Sequence, residues 1–317
     1  MHYRLTSLLL FSLLITACET TGTRTGSVEI VDATNITEVA SLVDSTRIRS
    51  TIETLASFGT RMTGYPGATE AADYLAEEFR AIGLENVGLE VFIRDCLPEL
   101  QKIDTVRIIN ILGETKEEYR ILVETLDMQE GVDGIEVNVS CPNVEKGGIV
   151  FGGDPILLQD LVSRLRKKTE KPLIIKLSPN VTDIVEMAKI AESEGADAIS
   201  LINTVRGISV DPETRKPRLS NMIGGLSGPA IKPIALHMVW QVARHVKIPV
   251  IGIGGILSAG DAAEFLICGA SAVQVGTAHF RDPCACIKII QGLEDYLSKK
   301  RIQNVRELIG SLDLTAV

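Results

Sequence analysis

The sequence has few aromatic residues and too few basic side chains to balance its acidic ones. Aromatics make up 4% of the 317 residues, and 32 Lys and Arg against 41 Asp and Glu give a formal net charge of -9. Such a surface has no basic excess with which to neutralise a phosphate backbone, which argues against nucleic-acid binding. The 45% hydrophobic content excludes disorder as the default, and 27 glycines favour an α/β protein over a β-sandwich.

The six cysteines show none of the spacings of a disulfide framework. A chain of this length can bury a sizeable core without crosslinks, so we expect mostly free, half-buried thiols. Cys284 and Cys286 could bind a metal together, but no second cluster of Cys or His completes the four ligands of a zinc site. No metal site is therefore predicted. The cysteines are Cys18, Cys96, Cys141, Cys268, Cys284 and Cys286.

The first 18 residues resemble a bacterial lipoprotein signal. Arg4 precedes the apolar run 5–15, which is shorter than the roughly 20 residues of a membrane-spanning helix. The run ends in Leu-Ile-Thr-Ala-Cys18, similar to the box where cleavage exposes a cysteine for lipidation. Residues 1–18 are thus predicted to be a signal peptide, and Cys18 a membrane anchor. The alternative is an ordinary N-terminal helix with a chance cysteine.

Residues 19–80 show helical periodicity. Ile36, Val39 and Val43 recur at three- and four-residue steps. The strings 56–67 (Ala-Ser-Phe-Gly-Thr-Arg-Met-Thr-Gly-Tyr-Pro-Gly) and 74–80 (Tyr-Leu-Ala-Glu-Glu-Phe-Arg) resemble the N-terminal part of secreted two-zinc aminopeptidases. Residues 19–95 contain no histidine and none of that family's metal ligands, so no peptidase activity is predicted.

From Val106 onward the chain repeats a unit of apolar strand, polar or glycine tip, and amphipathic helix. Parallel strands with helical crossovers and functional residues at their carboxyl ends are typical of a (β/α)8 TIM barrel. We predict this fold over 81–317, incomplete with six recognisable βα units and preceded by a helical N-terminal segment. A doubly wound sheet is the alternative, although its Gly-x-Gly-x-x-Gly signature is missing. The predicted strands are 106–112, 134–139, 173–177, 198–202, 249–253 and 272–275.

Lys176 lies inside the apolar run Leu-Ile-Ile-Lys-Leu of the third predicted strand. A buried ammonium is costly unless an anion compensates it, so this residue indicates either an anionic ligand or a structural ion pair. Cys141 follows the second strand in a turn fixed by Pro142, where a thiol could exchange a proton with a substrate. An inert thiol is the alternative, but Asn138 and Asn203 at the same predicted face favour a site.

Glycines follow the last two predicted strands, at Gly254-Gly255 and Gly276-Thr277. Only glycine lets a backbone approach a phosphate closely enough for its N–H groups to bind the oxygens, particularly in front of a helix. The sequence therefore predicts a phosphate-binding site at these two tips.

Several longer strings carry a family resemblance. The chain is similar to class 1 dihydroorotate dehydrogenase, the NAD-linked bacterial type, over about residues 81–313. This resemblance implies a barrel that contains FMN and oxidises dihydroorotate to orotate in pyrimidine biosynthesis. The strings are Glu-Val-Asn-Val-Ser-Cys-Pro-Asn143, Ile-Ile-Lys-Leu-Ser-Pro-Asn180, Ser-Leu-Ile-Asn-Thr204, Gly-Gly-Leu-Ser-Gly-Pro-Ala-Ile-Lys-Pro233, Val-Ile-Gly-Ile-Gly-Gly255 and Ala-Val-Gln-Val-Gly-Thr277.

The resemblance also implies residue roles. Cys141 would be the base that removes the C5 proton while a hydride leaves C6 for flavin N5. Electrons would pass to a partner subunit that carries FAD and an iron–sulfur cluster and reduces NAD, and the catalytic subunits would form a homodimer. Substrate contacts would come from Asn138, Asn203, Thr204, Ala81, Ile82, Gly83 and Leu84; flavin contacts from Asn110, Asn138, Lys176 and Ile202; and phosphate contacts from Gly228, Gly254, Gly255, Gly276 and Thr277.

The front of the chain departs from this family. Two strands expected before Val106 are not recognisable in 19–80, and the substrate loop Asn-x-x-Gly-Leu-x-Asn begins here with Arg80 instead of asparagine. These features suggest a fusion joined within 81–88. The alternatives are an inactive lipid-anchored hybrid or an oxidoreductase for another reduced pyrimidine. Kinship predicts a cytoplasmic protein, whereas the signal-like start predicts an exported lipoprotein.

Overall fold

The computed structural model describes residues 89–140, 151–219 and 222–315. They fall into two compact units: the larger contains residues 89–205 and 227–315 of the described chain, and the smaller contains 206–226. The signal-like segment 1–18, the aminopeptidase-like segment 19–80 and the junction 81–88 lie outside the described residues. Their assignments therefore stay predictions.

The larger unit is built on one parallel sheet of six strands in the order β1-β2-β3-β4-β5-β6. This confirms the six predicted βα units. The first strand starts after Val106, which is 60% exposed, so its apolar character does not reflect burial in the sheet. The strands are β1 (Ile108–Ile111), β2 (Gly134–Asn138), β3 (Leu173–Lys176), β4 (Ala198–Leu201), β5 (Val250–Ile253) and β6 (Ala272–Gln274).

Helices follow the strands, and side chains at their first turns define where several begin. Thr115 and Ser258 each form a capping box, in which the cap hydroxyl accepts a backbone N–H and an acidic side chain accepts the cap's own N–H. Asp154 and Asp183 cap two others through their carboxylates. The helices are α1 (Lys116–Asp127), α2 (Pro155–Arg166), α3 (Ile184–Ser193), α4 (Lys232–Ala243), α5 (Ala259–Ile267) and α6 (Ala285–Lys300).

Short helical segments complete this unit. A π-helical stretch, Phe92–Cys96, lies between the α-helical turns Leu89–Val91 and Leu97–Gln101. Single 3-10 turns occur at Phe151–Gly153, Pro229–Ile231, Thr277–Phe280 and Val305–Leu308.

The inner face of the sheet has an apolar layer and, two residues further along the strands, a polar layer. Ile174, Ile251 and Ala272 form a buried cluster against which Ile108 and Ala198 pack. Because side chains alternate along a strand, the residues two positions later share this face. These later residues are the polar Asn110, Lys176, Ser200 and Gln274 and the apolar Ile253, with Glu136 directly opposite Asn110 in the register.

One hydrogen bond shows that the sheet curls like part of a barrel. Gln274 Nε2 on the edge strand β6 donates to Glu136 Oε1 on β2 at 2.9 Å. In a flat sheet these strands would lie about 19 Å apart, four spacings of roughly 4.8 Å, too far for the two side chains to meet. The fold is therefore the expected incomplete TIM-barrel type, with helices following its parallel strands.

The described part of the smaller unit consists of two short ribbons. Val205–Ile208 pairs with Ile223–Leu226, and Val210–Asp211 runs antiparallel to Lys216–Pro217. Across the described part of both units, no helix is long and apolar enough to cross a bilayer.

Candidate active site

Asparagine side chains meet at the carboxyl ends of the central strands, as the sequence predicted. Asn203 Nδ2 donates to Asn138 Oδ1 at 2.9 Å, and the same oxygen accepts the backbone N–H of Ser140 at 3.1 Å. Asn203 Oδ1 in turn accepts the N–H of Thr204 at 2.8 Å. These bonds hold two amide groups, each able to donate and accept, beside the end of β3, because Asn138 is the register neighbour of Lys176.

Lys176 is buried at this end of β3, with 6% of the residue exposed. Its Nζ lies 3.5 Å from Glu136 Oε2, so the structural ion pair considered as an alternative is present. An ammonium has three N–H donors, and one ionic contact at this distance leaves it able to bind a further acceptor. The ion pair and a ligand-binding role are therefore compatible.

Glu136 is the centre of the polar layer. Its Oε1 accepts hydrogen bonds from Ser200 Oγ at 2.7 Å and Gln274 Nε2 at 2.9 Å, and its Oε2 accepts one from Asn110 Nδ2 at 2.5 Å. Burial raises the pKa of this carboxyl, but the charge of Lys176 and the three hydrogen bonds outweigh burial, so the net pKa lies below its ordinary value. The carboxylate is thus ionised and fully engaged.

The glycine tips of three loops come together, and sterics require glycine at their centre. A Cβ on Gly255 would lie 2.8 Å from the carbonyl oxygen of Gly228, and both residues have positive φ, +77° and +83°. Gly254 has φ +134°, and a Cβ there would lie 2.9 Å from Ala235 Cβ. Thr277 Oγ1 donates to Ser227 Oγ at 3.1 Å, which joins the β6 tip to the same cluster.

The local chain supports a phosphate site at this cluster. Gly228 immediately precedes the turn Pro229–Ile231 and helix α4, whose N-terminal end therefore lies beside the cluster. Gly276 likewise precedes the helical turn Thr277–Phe280. A helix N-terminus and closely approaching glycine backbone are the elements that bind phosphate oxygens.

Comparisons with known proteins agree with this geometry. A family model described as dihydroorotate dehydrogenase matches residues 60–297. The chain belongs to the dihydroorotate dehydrogenase family. The match begins ahead of Ala81, where the sequence resemblance was expected to start.

Two similar relatives share the name dihydroorotate dehydrogenase B (NAD(+)), catalytic subunit. A protein of this name from Geotalea uraniireducens is 58% identical over 232 residues, which cover 73% of this chain and 76% of the relative. One from Geobacter sulfurreducens is 55% identical over 234 residues, covering 74% and 77%. A solved structure of DHODH from Eimeria tenella in complex with ferulenol has a TM-score of 0.58 and 24% identity and covers 72% of this chain and 69% of that one, which supports the fold.

The structure also describes Ile202 and Asn110, two residues that are predicted to contact a flavin. Ile202 is buried, and its N–H donates to the carbonyl of Ile253 at 2.8 Å, which ties the β4 tip to the β5 tip. The peptide bond that precedes it is cis. The side-chain amide of Asn110, which is expected to contact the flavin, donates a hydrogen bond to Glu136 Oε2.

The expected catalytic thiol and substrate loop are not described. Cys141 belongs to the undescribed stretch 141–150, and Ala81, Ile82, Gly83 and Leu84 precede the first described residue. Their roles stay predictions, as does the departure at Arg80.

The other described cysteines are thiols rather than disulfides. Cys96, Cys268 and Cys284 are half-buried and unbridged, and burial raises the pKa of the Cys96 and Cys268 thiols. Cys286 Sγ lies 3.3 Å from His279 Nε2. Among the described residues, no group of three or more His, Cys, Asp or Glu side chains is placed to hold a metal ion.

Sequence reasoning assigned no role to Glu136, Ser200 or Gln274. Each interrupts an apolar strand in the way that singled out Lys176, so the signal was present. The sequence alone does not show that these three residues meet Lys176, because the contact forms only when separate strands lie side by side.

Proposed function

We propose that this chain oxidises dihydroorotate to orotate in pyrimidine biosynthesis, with FMN as its bound cofactor. The observation that carries the proposal is the conjunction of Lys176, the Asn138–Asn203 pair and the glycine cluster in one unit of the fold. The 55–58% identity to the named dihydroorotate dehydrogenase B subunits supports the same activity.

The residues present fit FMN. Gly228, Gly254 and Gly255 all have positive φ and bring two backbone tips together beside the N-terminal end of α4, an arrangement that suits the phosphate. Lys176 supplies a cation for the pyrimidine edge of the ring. Gln274 Oε1 is a buried carbonyl oxygen without a hydrogen-bond partner among the described residues, so the polar layer has an acceptor available for a further hydrogen bond.

The proposed chemistry divides the work between the cofactor and the chain. FMN, held by Lys176 and by the cluster of Gly228, Gly254 and Gly255, would supply the acceptor for the hydride of C6 of dihydroorotate. Cys141 Sγ takes the C5 proton, so the substrate loses one proton and one hydride and gains the C5=C6 double bond of orotate. Asn138, Asn203 and Thr204 bind the polar edge of the pyrimidine, because their amide and hydroxyl groups offer both donors and acceptors.

The name of the relatives supports a partner subunit for this chain. Their name describes a catalytic subunit of an NAD(+) enzyme, which supports electron transfer to a separate subunit. We assign FAD and an iron–sulfur cluster to that subunit, and we expect this chain to form a homodimeric core. We propose a cytoplasmic location, because NAD and the precursors of pyrimidines are available together there.

The N-terminal assignments belong to the same proposal: a signal peptide over 1–18, an aminopeptidase-like helical segment over 19–80 and the flavin-binding barrel over 81–317. Their support is the sequence pattern alone, and a lipid on Cys18 would place the chain at a membrane instead. Sequencing across the codons for Arg80–Val91 in genomic DNA tests the fusion. One continuous reading frame through these codons in genomic DNA would support a natural fusion. Genomic reads that place the two sides of the junction at separate loci would identify an artificial one.

Purified full-length protein tests the activity directly. We expect visible flavin absorbance and the formation of orotate from dihydroorotate, measured by ultraviolet absorbance with an artificial electron acceptor. Cys141→Ser is expected to lower kcat at least about hundredfold, the usual contribution of a positioned base. Cys268→Ser is the matched control and should keep wild-type turnover. Colourless protein, or faster oxidation of a different reduced pyrimidine in a substrate panel, would contradict the proposal.

A further inference from the structure

The carboxylate of Glu136 is held by more of the barrel than any single strand could provide. Its partners come from β1, β3, β4 and β6, although Glu136 itself lies in the middle of β2. The side chain is only 3% exposed. A group bonded from four other strands cannot rotate without breaking several contacts, so its orientation is determined by the sheet as a whole.

The two oxygens of this carboxylate have different tasks. Oε1 accepts hydrogen bonds from Ser200 and Gln274, so both of its lone pairs are used. Oε2 accepts from Asn110 and faces Lys176 Nζ at 3.5 Å. The three neutral donors therefore fix the direction in which the remaining negative charge points, and that direction is toward the ammonium.

Stability alone does not account for this arrangement. Burying two opposite charges costs desolvation that their attraction only partly offsets, and well-packed apolar residues often replace such a pair without loss. The apolar layer directly beneath, formed by Ile174, Ile251 and Ala272, shows that this sheet packs well without charges. The pair therefore has a role in the candidate site, at the end of the barrel where Lys176 lies.

We infer that Glu136 is a positioning residue: its carboxylate, oriented by Asn110, Ser200 and Gln274, holds the Lys176 ammonium at the carboxyl end of β3, against the pyrimidine edge of the flavin. This inference rests on the proposed function for the flavin. Glu136 acts through Lys176 and touches neither substrate nor the reacting atoms.

The first experiment measures the pair without the cofactor. The full chain, stripped of FMN, is unfolded by urea as wild type, Glu136→Gln, Lys176→Met and the double variant. For groups in contact we expect the two substitutions to be non-additive by about tenfold or more in the unfolding equilibrium constant. Additive effects would overturn the inference.

The second experiment measures the charge felt by the flavin. Sulfite adds to flavin N5, and a cation near the pyrimidine edge favours this adduct because the added negative charge resides there. We expect Glu136→Gln to weaken sulfite binding about tenfold in the wild-type background and to change it less than about twofold in Lys176→Met. Unchanged or tighter binding in Glu136→Gln, or equal weakening in both backgrounds, would overturn the positioning role.

Two further variants keep the test decisive. Ser200→Ala removes one of the two donors to Oε1, while Asn110 and Gln274 still orient the carboxylate, so it should weaken sulfite binding less than Glu136→Gln does; equal weakening in the two variants would contradict the inference. If Glu136→Gln does not fold, Glu136→Asp retains the charge on a shorter side chain and should bind sulfite more weakly than wild type; equal affinity would contradict the inference. Wild-type protein that binds no FMN would instead refute the proposed function, whereas intact flavin binding with no Glu136 effect refutes only the positioning role.

Discussion

Two charged clusters in this protein differ in their surroundings more than in their geometry. On the surface between α1 and α2, Lys116 lies 2.5 Å and Arg164 2.7 Å from Asp160, and Lys168 lies 2.8 Å from Glu124. Inside the sheet, Lys176 and Glu136 are 3.5 Å apart. The surface contacts are shorter and more numerous, yet we expect the buried pair to matter far more.

Solvent explains the difference. Water screens exposed charges and competes for their hydrogen bonds, so a surface pair contributes little and is further weakened by salt. Loss of one buried partner leaves the other charge desolvated and unpaired, which is costly. The distance between two charges therefore says less about their energetic importance than the surroundings of both groups.

The largest expected effect comes from breaking the buried pair. Glu136→Gln should lower the free energy of unfolding by about 3–5 kcal/mol at pH 7, because it leaves the Lys176 ammonium buried without its counterion. Urea unfolding followed by circular dichroism measures this change. Ser200→Ala, which removes a single hydrogen bond to the same carboxylate, should cost only about 1 kcal/mol. Equal losses in the two variants would mean that the charge is unimportant.

The glycine cluster gives the next largest effect. Gly255→Ala combines positive φ with a Cβ only 2.8 Å from the Gly228 oxygen, so we expect a loss of about 2–3 kcal/mol and weaker FMN binding. Gly310→Ala is the matched control, since Gly310 has φ +70° but nothing within 4 Å of its Cβ position. It should lose only the strain of left-handed backbone, about 1–2 kcal/mol. Thermal unfolding measures the loss of stability in each variant, and FMN titration measures whether binding is weakened in Gly255→Ala.

Acid should weaken the interior cluster in a defined pH window. The pKa of Glu136 is lower in the fold than its ordinary value of 4.5, so its stabilising contribution is complete above that value and is lost as the pH falls through the folded pKa. The stability difference between wild type and Glu136→Gln should therefore be constant above about pH 6 and shrink below pH 4.5. A constant difference down to pH 3 would exclude this coupling.

The smallest effect belongs to the surface. Asp160→Asn removes the partner of both Lys116 and Arg164, yet we expect the unfolding midpoint to move little, and less at high salt. Urea unfolding at low and high ionic strength measures this. A loss comparable to that of Glu136→Gln would remove the distinction between the clusters.

The strands and several site residues could be predicted from local patterns. Apolar runs such as 173–177 and 249–253 are observed as strands with ends shifted by one residue, because a short apolar run between polar tips has few other places to be buried. Lys176 stood out because it interrupts such a run. The glycine tips stood out because few other residues accept positive φ.

The partners of these residues could not be predicted in the same way. Glu136 and Gln274 are separated by 138 residues, and no periodicity relates them. Their contact depends on the order of the strands and on the curl of the sheet. The ion pair and a ligand therefore remained alternative explanations for Lys176 until the neighbouring strands were in place.

By itself, the sequence determined the six strand-and-helix units, the polar positions at their carboxyl ends and the glycines that follow the last two strands, because each depends on local side-chain chemistry. Only the tertiary structure decided that Glu136 is shared by β1, β3, β4 and β6 and that the Gly228 and Gly255 tips touch. The first arrangement arises from curling one sheet and the second from packing the N-terminal end of α4 beside the β5 tip, and both bring together groups that are remote along the chain.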